Sequence, residues 1–394
     1  MFEYYLTNIY ILSYLIRIFN PVSYFYYYFY PNKFIESCGK MTLRYLNKMG
    51  PGFIKLSQNL NNRRDIFPDA FLKEIRCLLD FVPPDYTLVD TLPDNFENLK
   101  LLGSGTIGQV YSASISGKSV AVKIKRPKIK ERIKDDLIII QKWIDIIDYL
   151  YPSIGLKLKA RFILHSVEVQ YDFKREKEKQ TKFYNRCKDL QNIKVPKIYD
   201  EYCTENIIVM ELIHGNTISF LQTVNNINFN DNVKITSDLW NLGFSTLFEH
   251  DLVHGDVHSG NVMRDQNGCL WIIDFGLTFD ISEETQVLFL DYLSAFFKRD
   301  IKNLYEIITQ KYIIENNENF DHELKIFLEE ISSKKITMWD YSIELLNLSK
   351  KNGVIICNEY IQIEISVTNI YAIAGIINNG DFSILEEIIQ SKVL

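Results

Sequence analysis

Four groups of residues, far apart along the chain, have the types and the order needed to handle a nucleoside triphosphate. Gly103-Ser104-Gly105-Thr106-Ile107-Gly108-Gln109-Val110 has the form G-x-G-x-x-G-x-V. Glycine lets backbone amides approach phosphate oxygens with no β-carbon in the way. Taken alone the pattern equally fits a dinucleotide fingerprint or an ordinary hairpin. The dinucleotide reading needs a helix to open directly after the loop, whereas here strand-like sequence stands on both sides. Val120-Ala121-Val122-Lys123 follows, with Lys123 fifteen residues after Gly108. Alternate residues of a strand share a face, so Ala121 leaves room for a flat base and Lys123 offers an ammonium to phosphates. A buried strand with one exposed lysine is the plainer reading of that segment by itself.

His254-Gly255-Asp256-Val257-His258-Ser259-Gly260-Asn261 is the most specific of the four. An aspartate in such a loop orients or activates the acceptor, and an asparagine beyond it holds magnesium. Asp274-Phe275-Gly276 comes next, after an apolar strand, where a carboxylate can ligate an ion bridging two phosphates. Glu176 is the acidic partner expected for Lys123, with Glu168 and Glu178 as alternatives; most glutamates on such a helix simply face solvent. His254 reads as a structural histidine of the loop, and His258 has no assignment. Any one triplet is common by chance, but four in this order are not.

The elements that must position these groups fall into two regimes. Leu99–Leu102, Val110–Ile115 and Val120–Ile124 are short, apolar and β-branched, separated by Gly103-Ser104-Gly105 and Ser116-Gly117-Lys118, and predict three antiparallel strands. Helices are expected over 34–80, ended by Val82-Pro83-Pro84, and over Ile129–Leu150 and Lys157–Arg186. Strands follow at Lys197–Cys203 and Asn206–Leu212, and the rest reads mostly helical apart from Cys269–Ile273. The fold expected is α+β and two-lobed, protein-kinase-like, with a small antiparallel sheet in the first lobe and a mainly helical second lobe. Residues 1–33 form an aromatic-rich segment, 34–96 a helical extension, 97–213 the first lobe and 214–394 the second.

Composition narrows the partners. The 394 residues carry a net charge of −6 and no long basic block, which argues against a nucleic-acid binder. The basic runs Lys123–Lys134 and Lys174–Lys182 are diluted by acids and read as solvated helix faces. Six scattered cysteines without a C-x-x-C pair suggest reduced thiols in a reducing compartment. Between Tyr4 and Tyr30 the chain is unusually aromatic, but Arg17 and Pro21 interrupt it, so neither run reaches the ~20 apolar residues of a spanning helix. It has neither the basic start nor the cleavage site of a secretory signal. Two readings stand: a helix lying at a membrane surface, where tyrosine is favoured, or one packed on the rest of the chain.

Beyond these residues the chain resembles the UbiB (AarF-domain) family of atypical kinases. The resemblance rests on Gly50-Pro51-Gly52-Phe53-Ile54-Lys55-Leu56-Ser57-Gln58, then Arg63, Asp65 and Pro68, then Leu79-Asp80-Phe81-Val82-Pro83-Pro84, together with the loop at His254–Asn261. It implies ATP and Mg2+ as ligands, with Gly103, Gly105 and Gly108 at the phosphates and Val110 and Ala121 beside the base. Backbone near Glu211 and Ile213 would meet adenine, and Lys123 would pair with Glu176. Asn261 and Asp274 would hold the metal, Asp256 would orient the nucleophile, and Lys55 and Gln58 would lie on an extension across the cleft. It further implies a role in ubiquinone or other isoprenoid-lipid metabolism, often at membranes. The acceptor stays open among lipid, small molecule and protein.

Three departures from the family pattern stand out. Ser57 replaces a glycine, the nucleotide loop is glycine-rich where alanine is common, and Gln170 stands where a glutamate is frequent. No arginine precedes Asp256 and no A-P-E follows Asp274-Phe275-Gly276, features that a kinase switched through its activation loop would show. A non-catalytic nucleotide-binding scaffold and a small-molecule phosphotransferase are the rival readings.

Overall fold

The computed structural model describes residues 2–18, 20, 26–46, 48–60, 69–75, 82–150, 164–188, 190, 192–224, 229–248, 252–315, 317–334 and 336–393. Arg63, Asp65, Pro68, Leu79, Asp80 and Phe81 lie outside the described residues, as does the side chain of Gln58. The chain divides into two units, one of residues 1–173 with 203–208, the other of 174–202 with 209–394.

The first unit opens with four helices: α1 (Phe2–Ile18), α2 (Pro31–Leu46), α3 (Pro51–Leu60) and α4 (Asp69–Ile75). One face of α1 packs on α2, where Tyr10 and Tyr14 meet the Tyr45 ring edge-on and Ser13 and Tyr45 share a 2.9 Å hydroxyl bond. Burial pushes the Tyr14 phenol up to about 12. The opposite face leaves Ile9, Leu12 and Ile16 exposed. Beyond α1, Tyr28, Phe29 and Tyr30 are exposed too, Tyr28 at 75 %.

α3 carries the Lys55–Gln58 motif and packs on α5 (Ile129–Leu150). Pro51 opens α3, where its missing N–H costs nothing. Asp136 of α5 then accepts the Gly52 amide at 2.8 Å, placing a carboxylate at the positive end of α3. A β-carbon on Gly50 would sit 2.2 Å from the Asp136 carboxylate, and one on Gly52 would sit 2.6 Å from its β-carbon. The Gly-Pro-Gly run is thus explained by the close approach of one acid. We expect Gly52→Ala to cost about 1–3 kcal/mol through overpacking, read as a lowered urea midpoint. Ser57 is 3 % exposed and donates to Ile54 O at 2.8 Å, so the helix keeps its close packing with the hydroxyl satisfied internally. Gln170, also buried, likewise donates to Ser166 O within its own turn.

The expected sheet is present in the order β1 (Glu97–Ser104), β2 (Gly108–Ile115), β3 (Lys118–Lys125), β4 (Ile207–Glu211), with β1, β2 and β3 antiparallel. Ser116 and Gly117 both take positive φ in the two-residue β2–β3 turn, the hand that suits twisted strands. Apolar side chains of α2–α5 close the core around Leu46, Phe53, Phe71, Ile139 and Ile140.

The helix expected over Lys157–Arg186 is not continuous. Residues 164–169 are helical, Gln170 and Tyr171 turn, and α6 (Phe173–Cys187) starts afresh after Asp172, a residue type favoured immediately before a helix. Residues 157–163 lie outside the described residues.

The second unit holds most of α6, the antiparallel pair Ile313–Glu315 with Ile355–Ile356, and two further small sheets. One runs Ile193–Lys194, β8 (Leu270–Ile272), β7 (Val262–Asp265), β5 (Gly215–Thr217); the other pairs β6 (Leu252–His254) with β9 (Thr278–Asp280). The strand expected over Lys197–Cys203 shrinks to a bridge between Ile198 and Met210, because the chain turns into a short 3-10 helix at Asp200–Tyr202. Helices α7 (Ile218–Thr223), α8 (Phe229–Phe248), α9 (Glu283–Lys298), α10 (Ile301–Ile307), α11 (Glu318–Ser333), α12 (Met338–Lys351), α13 (Asn358–Ile377) and α14 (Ser383–Val393) build the rest. Trp240, Tyr292, Phe296, Tyr341 and Tyr371 are fully buried at its centre. Glu359–Ile377 is long and apolar enough to cross a membrane, but 65 % of that stretch is buried inside the protein, as a core helix requires. α8 approaches α13 so closely that a β-carbon on Gly243 would lie 2.4 Å from Ile370.

Candidate nucleotide site

In the first unit, the β2–β3 register sets Val110 opposite Lys123 and Ser112 opposite Ala121. Val110, Ala121 and Lys123 therefore share one face of the sheet. The Lys123 ammonium stands 5.4 Å from the Phe173 ring centre and that of Lys125 4.7 Å from it. The turn between β1 and β2 closes on itself, the Gly105 amide donating to Gly108 O at 2.9 Å. Gly108 has a reason of its own to be glycine, since a β-carbon there would meet Ile124 O at 2.5 Å. Gly103 meets no such obstacle. Lys55 is half-buried on α3.

In the second unit the loop His254–Asn261 and the Asp274-Phe275-Gly276 segment are wired together by one histidine. The buried His254 ring accepts the Asp256 amide on Nδ1 at 3.2 Å, so its proton resides on Nε2, which donates to Asp274 O. Burial holds its pKa below the usual histidine range and keeps the ring neutral. The backbones of Asp256 and Asp274 are thereby tied to a single imidazole. Asn261 joins them: its side-chain amide Nδ2 donates to Asp256 O at 3.0 Å, and its backbone carbonyl accepts Ile273 N–H at 3.1 Å, one residue before Asp274. Asp274 Oδ1 accepts the Gly276 amide at 2.9 Å. His258, unassigned in the sequence, accepts the Gly260 amide and shapes the turn before Asn261.

Phe275 is completely buried, its ring 5.1 Å from Phe183 and 5.3 Å from His254. Phe183 belongs to α6, which also carries Glu176, 3 % exposed. Glu211 and Ile213 are half-buried at the end of β4 and just beyond, and the Glu211 amide donates to Lys197 O.

The run Lys174–Lys182 is not the solvated face expected. Lys179 is 6 % exposed and paired with Asp280 of β9, Lys182 approaches the same carboxylate at 3.6 Å, and Arg175 donates to Thr278 O at 3.0 Å. These three cations recur at i, i+4 and i+7 along α6 and grip the strand beyond Asp274-Phe275-Gly276. Their spacing was visible in the sequence; the acid they meet, about a hundred residues away, was not. Partial burial opposes ionisation of Asp280, but the hydrogen bond and charge of Lys179, aided by Lys182, hold its carboxyl below the usual range. A depressed carboxyl pKa gives stability that is present above the unfolded value near 3.8 and is lost as pH falls through the folded one. Wild type should thus melt above Asp280→Asn at neutral pH, and the gap should close as pH drops below about 4.

Asn261 and Asp274 supply hard oxygen donors on adjacent chain segments, the kind magnesium takes. Among the described residues no three His, Cys, Asp or Glu side chains gather to cage a metal. Magnesium needs only one or two carboxylates beside substrate phosphates and water, so the pair fits it.

The profile of the ABC1 atypical kinase-like domain matches residues 89–308, more than half of the chain. The chain belongs to this family. The match encloses the glycine turn, Lys123, Glu176, the loop His254–Asn261 and Asp274. Relatives include an "Uncharacterized protein in hydrogenase 1 5'region" of Clostridium pasteurianum, 29 % identical over 78 % of this chain and 62 % of the relative. Two proteins named "Probable protein kinase UbiB", from Shewanella sp. (strain MR-4) and Shewanella oneidensis, are each 27 % identical over 79 % and 80 % of this chain. The ABC1 chain spans 61 % and 62 % of their lengths. A solved Mycobacterium tuberculosis structure, the Rv3197–erythromycin complex, shares the fold with a TM-score of 0.55 and 19 % identity, covering 82 % of this chain and 87 % of that one.

Proposed function

We propose that this chain is an atypical kinase or ATPase that binds ATP with magnesium and supports isoprenoid-lipid metabolism of the ubiquinone type. The observation that carries the reading is the neutral His254 ring, which ties the backbones of Asp256 and Asp274 together with Asn261 against them. Such wiring of the Asp256 and Asp274 backbones with Asn261 supports a reading in which catalysis works by positioning. Bound magnesium would supply charge neutralisation at the β- and γ-phosphates. In this reading Lys123, paired with Glu176, meets the α- and β-phosphates. The glycine turn at Gly103, Gly105 and Gly108 covers them, Val110 and Ala121 line the base, and backbone at Glu211 and Ile213 hydrogen-bonds adenine. Asp256 orients water or an acceptor hydroxyl.

A membrane surface is the partner we assign to the N-terminal helices. Ile9, Leu12 and Ile16 recur at helical spacing on the exposed face of α1, and Tyr28 and Phe29 are exposed nearby in the chain. The compartment proposed is a reducing one.

The test is ATP hydrolysis with magnesium, with and without liposomes, followed by a search for phosphorylated products. Turnover that rises with liposomes and falls back when Ile9, Leu12 and Ile16 become serine is expected. Tight nucleotide binding with no turnover under any condition would assign the chain to the scaffold class. Transfer to a soluble hydroxylated metabolite, unaffected by removal of residues before Asp94, would assign it to small-molecule kinases.

A further inference from the structure

Arg126, the residue after β3, belongs to the basic run expected to be solvated, yet it sits half-buried among backbone acceptors. Its Nε donates to Gly105 O at 3.0 Å, and Nη2 donates to Ser104 Oγ at 2.9 Å and to Pro83 O at 3.0 Å. Its own backbone amide donates to Ile107 O at 2.8 Å. One residue therefore holds the glycine turn from both sides and reaches the Pro83-Pro84 stretch through which the chain leaves its helical extension.

Two further contacts follow the same line. The Asp85 amide donates to Gln109 Oε1 at 3.0 Å, and Gln109 is fully buried at the foot of the turn. Ile107, at the tip, packs against the cluster of Ile129, Ile133, Val167 and Tyr171, which Leu56 of α3 also joins. The turn is thus fastened to the extension at its flank and its foot, and its tip rests on a cluster that the extension also touches.

We propose that Arg126 is a positioning residue that clasps the turn 104–108 to the extension, so that the extension governs how readily the turn opens for a nucleotide. The planar fork of a guanidinium reaches separate acceptors at fixed angles, which a lysine ammonium cannot reproduce. Charge alone therefore does not suffice, and Arg126→Lys fails along with Arg126→Met. The second half of the inference rests on the nucleotide reading above; the clasp itself does not.

The experiment is hydrogen–deuterium exchange on the full chain without nucleotide, paired with stopped-flow release of a fluorescent ADP analogue. In Arg126→Met and Arg126→Lys, amides of 104–108 should exchange roughly tenfold faster while α8, α9 and α13 are unchanged, and analogue release should quicken several-fold. Ser104→Ala removes one half-buried acceptor and should move the same amides by less. Unchanged exchange over 104–108 in all three variants would overturn the clasp, and so would a uniform rise across β1–β3, which marks a general packing role. If the wild type binds no nucleotide, exchange still decides the clasp and only the nucleotide reading falls. If exchange quickens but release does not, the clasp stands and its control of the nucleotide is overturned.

Discussion

Asp274→Asn should lower ATP turnover by about 10²–10³-fold while the melting temperature stays within a few degrees of wild type. The magnitude is that of losing one preorganised charge-stabilising group in a dry site. Asparagine is the sharper probe because Oδ1 of Asp274 accepts the Gly276 amide, and an amide oxygen can keep that bond. What the variant loses is charge. Asp274→Ala loses the bond as well, worth ~1 kcal/mol, so any difference between the two variants reports on the Gly276 turn. Turnover within threefold of wild type for both would sink the assignment of Asp274 and with it the catalytic reading. Coarse folding is not at issue, since the supporting bond from His254 runs to the backbone of Asp274 and not to its carboxylate.

The second large effect belongs to Phe183→Ala. Phe183 is fully buried, and its ring lies 5.7 Å from His254 and 5.1 Å from Phe275. Truncating a core phenylalanine costs about 3–5 kcal/mol, which for a unit of this size lowers the melting temperature by on the order of 10 °C. On the proposed reading turnover should fall further than stability explains, because the same ring braces the histidine that ties the backbones of Asp256 and Asp274. Calorimetry with hydrolysis measured well below the melting transition separates the two effects. Phe183→Leu should recover most of the stability and less of the activity. Full activity in Phe183→Ala at low temperature would show that the ring is a packing residue only.

Much of this architecture could be read in advance because it is local. The Ser116-Gly117 turn between two β-branched runs announces a hairpin, and the register that follows puts Val110, Ala121 and Lys123 on one face. The order of glycine turn, lysine strand, loop and Asp-Phe-Gly survives in the residues themselves. What escaped notice depends on partners far off in the chain. Lys179 resembles every other lysine of its run until Asp280 arrives, and Arg126 resembles a solvent-facing arginine until Pro83 and Gly105 turn their carbonyls toward it. Gly108, expected at the phosphates, has in addition a packing reason to be glycine that only the fold reveals, the Ile124 carbonyl beside it. The strand foreseen at Lys197–Cys203 failed for a local reason that pattern alone under-weights: Asp200 and Glu201 favour a turn over a ladder.

The approach of Asp136 to Gly50 and Gly52 has a practical corollary for anyone recombining such proteins. The two bare positions on one segment and the acid on another form a single lock whose halves lie some eighty residues apart. A chimera that keeps these N-terminal helices but takes α5 from a cousin lacking that acid would leave a helix with an uncapped start and an unfilled hollow beside it. One that keeps the acid but imports bulkier residues would be forced apart. Crossover points should therefore fall before Gly50 or after Asp136, so that both halves travel together.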